Sequence, residues 1–206
     1  MEYAFNLYNR YAADGITSAF GNILSLPPKK RGAKDTDEPP VSAFNEINEL
    51  PVVVCVGSDL AIGDSLGPIV GSLLRYKTQG VNAFVYGTLA APVTAKEVGY
   101  MRTFLRETHP ARRVIAVDAA VGAEGDIGLI KLHDTPLYPG AGANKKLGAL
   151  GDCSILGVVA EKSVMNYGLL NTTRLNLVYS MAEVIANGLS ALLWEIDGRK
   201  KRRLQA

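Results

Sequence analysis

The sequence predicts an α/β fold, with a mostly parallel sheet covered by helices on both faces. Residues 52–56 and 112–118 are apolar, β-branched runs that are too short for helices. Segments with helical periodicity alternate with such runs along the chain. The runs are almost continuously apolar, which is typical of strands buried on both faces. At 206 residues, the chain is long enough for one domain with a sizeable core.

The first 42 residues are predicted to form an N-terminal segment outside this domain. Residues 1–24 contain scattered aromatic side chains without a clear period, and we expect part of them to form a short docked helix. Residues 25–41 contain four prolines and alternating charges, which indicates an exposed linker. We therefore assign residues 1–42 to this segment, 43–198 to the domain and 199–206 to a basic tail.

The first half of the domain begins as a βαβ unit. The strand at 52–56 leads into a glycine-containing loop and a helix over 66–78, with Pro68 in its first turn. A second strand is expected at 82–86. A helix follows at 94–107, where Thr94 and Glu97 have the spacing of a capping box. The third strand, 112–118, ends on Asp118.

The second half continues with strands at 127–132 and 154–159, separated by a Gly- and Pro-rich loop over 134–151. Long loops of this kind in compact domains are often functional. The last helix is expected to begin near Thr172 or Thr173. Its apolar residues share one helical face and predict a helix docked on the core: Leu175, Val178, Met181, Ala182, Ile185, Leu189, Leu192, Leu193 and Ile196.

Composition narrows the function classes. The net charge of +2 gives no basis for nucleic-acid binding, and no apolar run approaches the roughly 20 residues that span a bilayer. The N-terminus lacks the apolar region of a signal peptide. Cys55 and Cys153 lie in apolar runs and are predicted to be reduced core thiols, and we expect His109 and His133 to be surface residues. We therefore expect a cytoplasmic protein that binds neither nucleic acid nor membrane.

Two acids follow two of the predicted strands, and they are the strongest candidates for chemistry. Asp64 lies in the loop after the first strand, and Asp118 ends the third, 118 − 64 = 54 residues later. If these strands are neighbours, both carboxyl groups meet in one crevice and share a proton. One group could then act as general base toward water and the other as general acid. The pair could equally contribute to a divalent-metal site.

The same residues also have purely structural interpretations, which the sequence leaves open. Asp64 could cap the following helix, and Asp118 could simply hydrogen-bond a loop. Asp59 could orient Asp64 or stabilise a turn. Asn144, in the PGAGAN loop, and Arg174, at the start of the last helix, are candidates for lining the crevice and binding substrate.

Four segments carry a resemblance to a known family. GSDLAIGDSLGP, VIAVDAAVG, PLYPGAGANKKLGALGD and LNTTRLNLVYSMAEVIA resemble, in this order, the YyaC-type sporulation proteins, which are described as candidate spore proteases. The resemblance covers residues 51–187. It implies a three-layer αβα sandwich of the phosphorylase/hydrolase-like type, in agreement with the predicted elements.

Two wider families share parts of the pattern. The spore germination protease has a similar Asp-Ala/Ser-Leu-Gly-Pro loop and a strand that ends in Ile-Asp-Ala. The aspartates of these motifs are implicated in catalysis in that family, and by resemblance they correspond to Asp64 and Asp118. The hydrogenase-maturation endopeptidases bind metal through acids at the same two positions and through a histidine. His133 comes too early to be assigned to that histidine's loop. We therefore expect no resident cofactor, with a divalent metal at Asp64 and Asp118 left open.

Two functions are compatible with this sequence. The first is a sporulation-associated peptidase that cleaves a spore-related protein or peptide, with Asp64 and Asp118 activating water. The alternative is a non-catalytic sporulation factor that binds a peptide or protein partner in the same crevice. Either would act in the sporulating cell or spore, and a homo-oligomer is compatible with both.

Overall fold

A computed structural model describes residues 1–26, 49–110, 112–139, 148–162 and 173–205, except for the side chains of residues 203 and 204. Within these ranges the chain forms six strands and four α-helices. In chain order they are β1 (Glu2–Asn6), α1 (Ala12–Ser25), β2 (Val52–Cys55), α2 (Leu66–Lys77), β3 (Phe84–Tyr86), α3 (Val98–Thr108), β4 (Val114–Gly122), β5 (Leu129–His133), β6 (Cys153–Glu161) and α4 (Leu175–Leu204). Short 3₁₀ helices lie at Gly63–Ser65 and Glu124–Asp126.

The six strands form one mixed sheet in the order β1-β5-β6-β4-β2-β3. Strands β6, β4, β2 and β3 are parallel, whereas β5 is antiparallel to both of its neighbours. The chain passes from β2 outward to β3 and then returns to β4 on the other side of β2. The carboxyl ends of β2 and β4 therefore flank the point where the topology reverses, which is the usual ligand crevice of such sheets.

Helices cover both faces of the sheet, which confirms the predicted α/β class. The larger buried cluster joins α1, α2 and α4 to one face, with Phe20, Leu74 and Met181 among its fully buried residues. The smaller cluster joins α3 to the other face through Val98 and Met101. All four β2 residues are fully buried because consecutive side chains enter opposite clusters.

Helix α4 is the apolar helix predicted near residue 173. Its predicted stripe faces the core except for Leu175, which is 56% exposed at the start of the helix, and Val178, Met181 and Ile185 are fully buried. Over Leu175–Arg202 it is also long and apolar enough to cross a membrane, although half of its apolar window is buried in the domain. This possible membrane span was not predicted from the sequence, because polar residues interrupt the apolar residues of α4 at helical spacing and leave no continuous apolar run.

The N-terminal residues are part of the domain, contrary to the boundary expected at residue 43. Strand β1 pairs with β5 along the sheet edge. Helix α1 buries Ile16, Phe20 and Ile23 in the larger cluster, and the Thr17 hydroxyl donates a hydrogen bond to the Gly188 carbonyl at 2.9 Å. At the other end, α4 extends to Leu204, through most of the expected tail.

His109 is buried, so the prediction of a surface residue was wrong. It follows α3, is 8% exposed, and its Nε2 lies 2.8 Å from the Tyr86 hydroxyl. The ring also contacts Phe84 at a centroid distance of 4.4 Å. Burial, together with the charge of Arg112, lowers the pKa of His109. The neutral imidazole is therefore the form that suits this aromatic cluster.

Both cysteines are buried, free thiols, as predicted. Burial raises the pKa of Cys153 to about 12 and raises that of Cys55 above its ordinary value. Because the thiolate is the nucleophilic form of cysteine, these protonated thiols are unreactive core residues.

Candidate functional site

Asp64 lies where the chain leaves β2 and enters α2. After Val56, Gly57 adopts a φ of +143°, and its N–H donates to the Val93 carbonyl at 3.0 Å. The loop then closes into the 3₁₀ helix Gly63–Ser65, which continues directly into α2. Asp64 is partly buried at the carboxyl end of β2.

Two glycines allow this loop to pack directly against the strand. A Cβ built on Gly57 would lie 2.1 Å from the Asp64 carbonyl oxygen, and one on Gly67 would lie 2.0 Å from the Val56 carbonyl oxygen. The Ser58 N–H donates to the Asp64 carbonyl at 3.0 Å. Positions 57 and 67 therefore have no room for a side chain, and these close contacts fix the backbone around Asp64.

Asp118 does not end its strand, which corrects the predicted boundary. Strand β4 continues to Gly122, whereas its pairing with β2 ends at Cys55 and Val117. The last bond of that ladder runs from the Val56 N–H to the Val117 carbonyl at 2.7 Å. Asp118 is therefore the first β4 residue beyond the end of β2. It reaches the crevice because the neighbouring strand stops.

The charge of Asp64 acts on the carboxyl group of Asp118. Burial raises the pKa of Asp118 well above its ordinary value, and the charge of Asp64 raises it further. The Ala119 N–H donates to Asp118 Oδ1 at 2.8 Å, which partly opposes these effects. Burial also raises the pKa of Asp64, against a smaller opposing effect of the Ser58 N–H. The two acids are therefore close enough for the charge of Asp64 to raise the pKa of Asp118.

The capping interpretation of Asp64 does not fit α2. The residue before this helix is Ser65, and no side-chain hydrogen bond caps the helix there. The Ser65 hydroxyl instead donates to the Ile62 carbonyl at 2.6 Å. The Asp64 side chain therefore does not serve as the cap of α2.

The three predicted substrate-binding residues have different outcomes. Asp59 is exposed in the loop, where a turn is closed by the Leu60 N–H donating to the Ser58 hydroxyl at 3.2 Å. Arg174 is exposed immediately before α4, whose N-terminal part contacts the 3₁₀ helix of Asp64. Asn144 lies outside the described residues. Substrate binding by these residues stays a prediction.

The described part of the chain does not provide a complete set of ligands for a resident metal. Those residues contain no group of three or more His, Cys, Asp or Glu side chains arranged to hold an ion. Asp64 and Asp118 would supply two oxygen ligands, which suit hard cations better than a nickel site built with histidine. We derive no chemical step through a metal.

Sequence analysis missed one feature of the site, the part of β4 that extends beyond β2. Residues 119–122 are all partly buried and pair with β6. The signal was present, because the apolar run continues past Asp118 as AAVG. We had treated the acid as the end of the strand.

Comparison with known proteins identifies the family. A family model described as "Protein of unknown function (DUF1256)" matches residues 38–188. The chain is 45% identical over 139 residues to the uncharacterized protein YyaC of Bacillus subtilis (strain 168), covering 68% of this chain and 67% of YyaC. It is also similar to the crystal structure of the NiFe hydrogenase maturation protease HycI from Thermococcus kodakarensis KOD1. That match has 19% identity and a TM-score of 0.34 over 68% of this chain and 92% of HycI. This chain belongs to the DUF1256 family of proteins of unknown function.

Proposed function

We propose that this chain is a peptidase in which Asp64 and Asp118 act as a proton-sharing pair that activates water. The observation that carries the proposal is the position of both acids at the topological reversal of the sheet, where the charge of Asp64 raises the pKa of Asp118. Neighbouring acids with separated pKa values are the arrangement that supplies a general acid and a general base together.

The electrostatics assign a role to each acid. Asp118 has the more strongly raised pKa and is the group that keeps its proton. Asp64 ionises first and takes a proton from water as the water oxygen attacks the peptide carbonyl carbon. Asp118 then donates its proton to the leaving nitrogen as the C–N bond breaks. Transfer of the proton from Asp64 to Asp118 restores the starting state.

The biological setting is proposed from the resemblance to the YyaC-type and germination-protease families. The substrate would be a spore-related protein or peptide, and the enzyme would act in the cytoplasm of the sporulating cell or in the spore. The geometry of the acids does not distinguish one polypeptide from another.

The direct test is proteolysis of unfolded protein. The chain is incubated with reduced, carboxamidomethylated α-lactalbumin and with an acid-soluble spore extract, from about pH 4 to about pH 8, with and without EDTA. New amino termini are identified by mass spectrometry. We expect cleavage with a maximum below neutral pH, because Asp118 must be protonated. Asp64→Asn and Asp118→Asn should each lower the rate about a hundredfold or more.

Glu107→Gln is the control, since it changes an exposed acid in the last turn of α3, outside the candidate site. Its cleavage rate should stay close to that of the unmodified chain. Absence of cleavage under every condition would overturn the peptidase proposal. Full activity of Asp64→Asn, or an absolute requirement for an added cation, would overturn the proton-sharing mechanism.

A second candidate function is a non-catalytic factor that binds a partner in this crevice. It is favoured by apolar side chains at the crevice rim, where Leu60 is 91% exposed and Ile62 is 37% exposed. Affinity capture from sporulating cells should then recover an uncleaved partner that Leu60→Ser loses. Tyr138→Ser, which changes an exposed side chain away from this edge, should retain it. Equal loss from both variants would contradict binding in the crevice.

A further inference from the structure

Within the described residues, one edge of β4 has no strand partner from the acid pair onward. Its pairing with β2 ends at Val117, but its pairing with β6 continues to Gly122 opposite Glu161. Among the described strands, only β6 pairs with β4 beyond Asp118. One side of this segment therefore lies in the direct extension of β2.

Strand alternation shows which backbone groups line this edge. The Val117 carbonyl points to β2, since it accepts the Val56 N–H. Ala119 and Val121 have the same parity and direct their N–H and C=O groups to the same side. The Gly122 carbonyl points the other way and accepts the Lys162 N–H at 2.7 Å. The edge thus offers the amide groups of Ala119 and Val121, and Asp118 Oδ1 already accepts the Ala119 N–H.

Strand edges of this kind readily pair with another extended chain. Proteins usually block them with proline, charged side chains or a covering element. The sequence here is Ala119-Ala120-Val121-Gly122, which has neither proline nor charge. The Ala119 and Val121 side chains pack against the larger cluster, so an added strand would pair here through backbone groups.

We propose that the substrate is an extended polypeptide that pairs with residues 119–122 as an added strand in line with β2. Its backbone would then pass over Asp64 and Asp118. A substrate carbonyl that accepts the Ala119 N–H releases Asp118 Oδ1 toward the peptide bond. Recognition through backbone groups selects unfolded segments over folded proteins. The cleavage step rests on the proposed function, whereas the binding step can be measured without it.

Binding is measured in the Asp64→Asn background, so that turnover does not consume the probe. The probe is fluorescein-labelled, reduced, carboxamidomethylated α-lactalbumin, followed by fluorescence anisotropy, with native α-lactalbumin as the folded counterpart. Val121→Pro removes the edge N–H without removing a β4–β6 bond. We expect it to raise Kd about tenfold relative to Val121→Ala, which corrects for the shortened side chain. Native α-lactalbumin should not bind.

Ala4→Pro is the matched control. Ala4 is exposed in β1, and its N–H points away from β5 because Leu7, of opposite parity, donates to Gly128 in that ladder. This substitution also places proline at a sheet edge, but on the strand farthest from β2 on that side of the sheet. It should leave probe binding unchanged.

A second measurement covers the case in which Val121→Pro fails to fold. Amide hydrogen exchange of Val121, followed by NMR, should be fast in the Asp64→Asn chain and slowed at least about tenfold by the probe. Slow exchange without the probe would show that the edge is already paired and would overturn the inference. Unchanged exchange on binding, absence of probe binding, or equal Kd for Val121→Pro and Val121→Ala would overturn it as well.

The two proposals fail separately. If the chain cleaves and Asp64→Asn abolishes cleavage, but Val121→Pro folds and binds like Val121→Ala, the edge inference is wrong and the peptidase stands. If the edge binds the probe but the unmodified chain cleaves nothing, hydrolysis is wrong and the edge inference stands.

Discussion

Asp118 is held in surroundings that disfavour its charged form. Its pKa is raised by burial and by Asp64, so the folded state holds this proton at pH values where the unfolded chain has released it. Stability therefore falls as pH rises from the unfolded value, about 3.9, through the folded pKa. At pH values above the folded pKa, the full loss of folding stability remains. An acid kept under such conditions is typical of residues retained for chemistry rather than stability.

Asp118→Asn should therefore stabilise the fold at neutral pH. The amide keeps the shape of the carboxyl group but carries no charge, so we expect a gain on the order of 1 kcal/mol, the usual size of such relief. The gain should disappear below about pH 3, where Asp118 is protonated in both states. Thermal unfolding at the two pH values measures it. Asp59→Asn should show no such difference, and a loss of stability for Asp118→Asn at pH 7 would contradict the electrostatic account.

At this scale, sequence reasoning failed with His109, whereas the catalytic roles of Asp64 and Asp118 stay predictions. The proximity of the two acids, seen in the effect of Asp64 on the pKa of Asp118, agrees with the expectation from parallel-strand geometry. His109 precedes Pro110 at a helix end and looks exposed in one dimension. Its burial depends on Phe84 and Tyr86, more than twenty residues earlier, and on the packing of α3 against β3.

At the scale of elements, the close approach of α2 to β2 positions Asp64. Gly67 permits this approach, since any Cβ there would meet the Val56 carbonyl oxygen. The predicted helix at 66–78 closely matches α2, because the helix signals are local. The length of β4 and the existence of β1 were missed, because strand ends depend on which neighbours continue.

Gly67→Ala should lower both stability and activity. The obstructing atom is backbone, so the helix and strand must separate, and we expect a cost of at least about 2 kcal/mol. Asp64 would move with the helix, so cleavage should fall more than the unfolded fraction explains. Urea unfolding and the α-lactalbumin assay measure the two effects.

Gly21→Ala is the control for that substitution. Gly21 also lies in a helix, but a Cβ there meets nothing within 4 Å. Alanine should stabilise α1 by about 0.5–1 kcal/mol and leave cleavage unchanged. Equal behaviour of the two variants would show that the α2–β2 contact does not constrain the site.

At the scale of the whole molecule, the N-terminal residues complete the sheet and its helical layer. Helix α1 packs on α4, and a Cβ on Gly188 would lie 2.8 Å from Ile16. Sequence analysis placed these residues outside because the Pro-rich segment resembles a domain boundary. Composition cannot show that the chain on the far side of a linker returns to complete the same sheet.

Removal of residues 1–26 should therefore prevent cooperative folding. The deletion takes Ile16, Phe20 and Ile23 from the core, each worth about 1.5–3 kcal/mol when buried. Their sum is comparable to the net stability of a typical domain, about 5–15 kcal/mol. Near-UV circular dichroism and size-exclusion chromatography should show loss of tertiary packing. A synthetic peptide of residues 1–26 should restore it, and a truncated chain that folds unaided would contradict this account.

The early termination of β2 has a consequence for how this fold could diversify. A few more residues in β2 would pair with Ala119 and Val121 of β4 and close the gap beside Asp118 without altering either acid. Whether a relative admits foreign chains would then depend on how many residues separate Cys55 from the 3₁₀ helix. Insertions and deletions between Cys55 and the 3₁₀ helix, more than side-chain substitutions, would decide whether this gap is present.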